Sequence, residues 1–195
     1  MRWTQIILLA TVMGGAGAAE ARKGRMESAA PKSADEAIAD AEKALENGAV
    51  GDAISVGERL QKTRGLTKEQ QKRADLIVAR CGLVTGKYDA SEKIFARLRK
   101  ATPDDTRLAE WHARALDGAG KSAEALALLS ELASKDALVD GDSYWELAQL
   151  ERAKGEGEKA LAHAKLALDK PIVLQSDELD REIHKFIDEL TPKKK

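Results

Sequence analysis

Four arginines offer the first chemistry. Arg73 and Arg80 stand two helical turns apart, and so do Arg107 and Arg114. A guanidinium is a planar fork that takes a carboxylate or a phosphate through two parallel hydrogen bonds. A second candidate is GAGKS, Gly118 to Ser122, which has the ending of a phosphate-binding loop. Such a loop points backbone N–H groups at a phosphate where a helix begins. A third set is His112, His163 and His184, the residue type that most often binds metals and moves protons near neutral pH.

Two of these candidates weaken once their surroundings are read. A phosphate loop needs a glycine five residues before Gly120, and that position is Ala115. It also needs a preceding strand, whereas Leu108, Trp111 and Ala115 recur at helical spacing. The three histidines fall in different helical segments, with no short spacing to Cys or carboxylates. No nucleophile elbow or Ser-His-Asp order is recognisable. The expectation is therefore no catalytic residue, no cofactor and no metal site.

The elements that would carry the arginines are helices. Aromatic residues make up 4% of the 195 residues and there are four prolines, while Ala, Leu, Glu and Lys abound. Ser33-Ala34-Asp35-Glu36 and Thr67-Lys68-Glu69-Gln70 are capping boxes, which predict helix starts near Ala34 and Lys68. Gly48, Gly86, Gly120 and Gly155 recur at intervals of 38, 34 and 35 residues. A period near 34 residues is that of a two-helix repeat.

Other positions move with the glycine. Seven before it stand Ala41, Ala79, Ala113 and Ala148; five after it stand Ala53, Ser91, Ala125 and Ala160. Twelve after it stand Leu60, Leu98, Leu132 and Ala167. Small residues in fixed places let helix backbones approach, and larger apolar ones a turn on fill the space beside them. Gly120 then reads as one of four turn glycines. Its counterparts sit in Gly86-Lys87-Tyr88 and Gly155-Glu156-Gly157, which lack the features of a phosphate site.

This register resembles the tetratricopeptide repeat (TPR). The best match is Lys72 to Asp105, with Ala79, Gly86, Tyr88, Ser91, Phe95 and Pro103 in the family's characteristic places. The family's early Trp is displaced at Trp111 and Trp145 and absent from the first two units, and the first unit is four residues longer. The resemblance implies an all-α fold, an α-solenoid of about four TPR-like helix pairs with a C-terminal capping helix. The expected organisation is a signal peptide over 1–19 and a flexible linker over 20–33. The repeats follow over 34–172, as units 34–67, 72–105, 106–139 and 141–172. A capping helix over 176–190 and a basic tail over 191–195 complete it.

In TPR proteins one face of the first helix of each pair lines a concave groove. On that basis Arg73, Arg80, Arg107 and Arg114 face the groove, and Trp145, Gln149 and Arg152 extend it. The implied function is a non-catalytic scaffold or adaptor that binds a protein or peptide segment, acidic or bearing a C-terminal carboxylate. The same arginines have a second use, pairing with carboxylates such as Glu110 and Asp117, and the sequence leaves both open. A self-associating structural component of an envelope or secretion assembly is the alternative function, with oligomeric state unassigned.

The remaining features concern location. Met1-Arg2, the apolar run Trp3 to Met13 and the small residues through Ala16-Gly17-Ala18 fit a secretory signal. A periplasmic or secreted protein with no membrane span after cleavage follows, the alternative being an N-terminal membrane anchor. The lone Cys81 lies in an apolar helical pattern and reads as a core residue. The net charge of −1 offers no general attraction for nucleic acid.

Overall fold

A computed structural model describes residues 33–171 and 177–192. The signal over 1–19, the linker apart from Ser33, position 172 of the last unit, the first position of the expected capping helix (176) and the lysines at 193–195 lie outside the described residues. Among the described residues there are nine α-helices and no strands. They are α1 (Ala34–Glu46), α2 (Val50–Gln61), α3 (Lys68–Val84), α4 (Tyr88–Ala101), α5 (Thr106–Gly118), α6 (Ser122–Ser134), α7 (Gly141–Lys154), α8 (Gly157–Asp169) and α9 (Asp177–Leu190). The fold is an all-α solenoid.

Local chemistry places the helix starts. Ser33 and Thr67 form reciprocal capping boxes with Glu36 and Gln70, so α1 and α3 begin where two backbone donors are satisfied at once. Asp105 and Asp140 cap α5 and α7 by accepting from the N–H groups of Leu108 and Ser143. The four repeat glycines have φ between 74° and 88°, the left-handed region that ends a helix and turns the chain into the next. Gly120 is one of them, so GAGKS is a turn between two helices. Its Lys121 pairs with Glu92 at 3.2 Å, and its Ser122 hydroxyl donates to Asp117 at 2.6 Å.

Successive helices pack antiparallel in pairs, and the first helices of adjacent pairs (α1, α3, α5, α7) touch their neighbours. Every residue of the three periodic columns is buried. Ser91 shows why the column is small: its hydroxyl donates to Ala79 O at 2.9 Å, deep between α3 and α4. Gly118 is a second close approach, because a Cβ there would run into the Tyr88 ring. Cys81 is a buried free thiol, with desolvation raising its pKa.

α9 closes the last pair. Ile183 and Phe186 are buried, and Leu179, Ile187 and Leu190 pack beside them against α7 and α8. Phe186 meets Trp145 edge-on at 4.8 Å between ring centroids.

Candidate peptide-binding face

The face carried by α1, α3, α5 and α7 holds the arginines, and the structure shows where each is directed. Arg73 forks onto Glu42 of α1, with Nε–Oε1 at 2.9 Å and Nη2–Oε2 at 2.5 Å. Arg107 pairs with Asp140 and lies 3.6 Å from Glu110. Arg114 meets Glu146 of α7 at 3.4 Å. Arg152 pairs with Glu189 of α9 at 2.7 Å and lies over the Phe186 ring. Four of the five arginines thus bind carboxylates in the next or preceding structural unit, lacing the repeats together.

Arg80 is different. Its guanidinium lies over the Trp111 ring, 4.8 Å from the centroid, and among the described residues no carboxylate is within ion-pair distance. Desolvation lowers its pKa, and the nearby Arg107 charge adds to that, against a weaker opposing pull from Glu46 and Glu42. Arg80 remains a cation, since an arginine does not deprotonate in this setting. Trp111 is half-buried, backed by Phe95 at 6.2 Å.

Trp145 does not join this face. It is 2% exposed and lies in the core under Phe186. It stands ten residues before its repeat glycine, where Trp111 stands nine before its own. One residue rotates a helical side chain by about 100°, so one tryptophan turns outward and the other inward. Gln149 is half-buried beside it, with Nε2 enclosed and without a hydrogen-bond partner among the described residues.

The site contains a group that the arginine pattern did not announce. Glu110, Asp140, Asp142 and Glu146 are all at most 5% exposed where α5 meets α7. Glu110 Oε1 accepts from Val139 N at 2.6 Å, and Asp140 caps α7. Burial pushes the Glu146 carboxyl up to about 7, despite the Arg114 charge. Burial also raises Glu110, despite the Val139 N–H and the Arg107 charge. Burial disfavours the Arg114 cation, but Glu146, Asp142 and Asp140 outweigh it and its pKa rises. The signal available in sequence was the spacing Asp142 to Glu146, one turn apart, opposite Arg107 and Arg114.

The histidines serve local pairings. His112 Nδ1 is 3.0 Å from Arg99, His163 Nδ1 is 2.7 Å from the buried Glu151, and His184 stays with its own turn. Among the described residues no three metal-ligating groups converge, and no helix is long and apolar enough to cross a membrane.

Comparison with known proteins places this geometry. A tetratricopeptide repeat family model matches residues 112–172. A tetratricopeptide repeat protein from Parabacteroides merdae superposes with a TM-score of 0.61 at 22% identity, over 81% of this chain and 59% of that one. A thermophilic TPR protein of Thermus thermophilus gives 0.58 at 16% identity, over 88% and 85%. MamA from Desulfovibrio magneticus RS-1 gives 0.57 at 16% identity, over 83% and 85%. The chain therefore spans under two thirds of the Parabacteroides protein. No curated protein matches the sequence.

Proposed function

We propose that this chain, a tetratricopeptide repeat protein by family match and by fold, is an exported scaffold that holds an acidic protein segment on the face of α3 and α5. The TPR fold supports a protein-interaction role in general, because each pair leaves one face open along an extended surface. The finer reading rests on Arg80. It is a cation with no carboxylate at ion-pair distance among the described residues, spread on an aromatic ring beside a second arginine. A carboxylate approaching there gains a charge-assisted hydrogen bond and the amphipathic contact of Trp111. The other arginines do not carry this reading, since each already holds a carboxylate. The surplus of acid between α5 and α7 confines the acidic contact to the α3–α5 stretch.

The export part rests on the apolar run Trp3–Met13 and Ala16-Gly17-Ala18. Sequencing the N-terminus of the protein from cells checks it, and an intact Met1 would count against cleavage. The binding part is checked by affinity capture from envelope extract with wild type and Arg80→Glu. A charge-assisted contact contributes about 1.5–3 kcal/mol, so reversing the charge should weaken capture by roughly tenfold or more. Equal recovery of the same partner by both proteins would remove Arg80 from the site and leave the scaffold reading intact.

A further inference from the structure

We propose that the buried carboxylate cluster between α5 and α7 is a proton-controlled joint, which fastens the fourth helix pair to the third on mild acidification and loosens as pH rises. The geometry carries the idea. Glu110 from α5, Asp140 from the α6–α7 connection and Glu146 from α7 face two cations, Arg107 and Arg114, and the buried Asp142 adds to the field on Arg114. The three carboxylates of those ion pairs against two guanidiniums leave one negative charge in excess within the contact. Asp117, half-buried at the end of α5, adds to the field on Glu146. Uptake of one proton brings those three carboxylates and two guanidiniums to neutrality.

One oxygen is placed to receive it. Glu146 Oε1 is fully enclosed and lacks a hydrogen-bond partner among the described residues, whereas the enclosed Glu110 Oε2 stands 3.6 Å from the Arg107 cation. A protonated carboxyl becomes a donor and no longer carries a buried charge. The contrast is Asp75, a buried carboxylate on α3. It takes Gln61 at 2.8 Å, Gln71 at 3.2 Å and Arg97 at 2.7 Å, so its charge is balanced by donors. The other elements packed on α7 address different groups. α8 presents His163 to Glu151, α9 presents Glu189 to Arg152, and the apolar side of α6 enters the shared core.

The direction follows from linkage. Glu146 titrates near 7 when folded, above the ordinary 4.5 of a free glutamate. The folded chain then binds the extra proton between those values, so stability rises as pH falls through 7 and levels off below 4.5. His112, lowered by burial and by Arg99, acts with the opposite sign, losing stability as pH falls through 6.5. Comparison with Glu146→Gln cancels that background, because the amide stands permanently for the protonated carboxyl.

The experiment is urea unfolding of the full chain from pH 5 to pH 8.5, wild type against Glu146→Gln. Relative to the variant, the folded-to-unfolded ratio of wild type should fall as pH rises from 5 to 7, by up to about tenfold per pH unit, and level off above 7. The two proteins should come closest at pH 5, and the variant should be the more stable at pH 8. Parallel curves across the range would overturn the proposal. So would a variant that is unfolded at pH 8, which would mean that the ionised Glu146 is required. Carbon-13 titration of the wild-type carboxyls gives a second reading, and a Glu146 midpoint near that of a free glutamate would also overturn it.

Discussion

The α3–α5 and α5–α7 contacts are built from the same two positions. The residue six before one repeat glycine meets the residue nine before the next. At the earlier contact these are Arg80 and Trp111; at the later they are Arg114 and Glu146. An aromatic partner leaves the guanidinium with unused hydrogen-bonding capacity and an open edge. A carboxylate partner uses that capacity and draws further acids around it. One backbone register therefore yields a cation spread on an aromatic ring at one contact and an ionic joint with a buried carboxylate at the next.

Breaking the ionic joint should produce the largest effect. Arg114→Glu removes the cation and adds a fifth acid to a buried cluster, a change worth about 3–5 kcal/mol when an enclosed pair is broken. Denaturant unfolding should show that loss, and hydrogen exchange should place it in α7 to α9. Arg80→Ala should be milder in stability, about 0.5–1 kcal/mol for a partly exposed cation–π contact, while still weakening partner capture. That split between stability and binding is what separates the two contacts. A third contact sharpens the scale: Arg73 and Glu42 form a well-aligned fork, but each is about a third exposed. Arg73→Ala should cost under about 1 kcal/mol, with a melting curve close to wild type. If Arg73→Ala were as damaging as Arg114→Glu, burial would not be the quantity that distinguishes the joints.

The periodic part of this fold was legible because packing repeats. Ala41, Ala79, Ala113 and Ala148 must each admit a neighbouring helix, so one physical requirement prints the same residue class four times. The capping boxes at Ser33 and Thr67 were legible because they are local. The partners of the arginines were not, since each comes from a position 31 to 37 residues away and depends on the rotation of two helices. The sequence offers Glu110 and Asp117 as neighbours for those charges; Glu110 does lie by Arg107, whereas Asp117 takes the Ser122 hydroxyl. Trp145 shows the cost of a one-residue displacement. The repeat register groups it on the face with Gln149 and Arg152, yet it turns into the core.

That placement of the tryptophans has an optical consequence. The chain has three, and Trp3 lies in the stretch expected to be cleaved. Of the other two, Trp111 lies half-exposed beneath a cation, and Trp145 is enclosed against Phe186 beside the α7–α9 packing. Their emission should differ in wavelength and in access to a soluble quencher. Replacing either with phenylalanine would leave a single tryptophan in the chain without Trp3, one watching the proposed recognition surface and the other the closing helix, with no label attached.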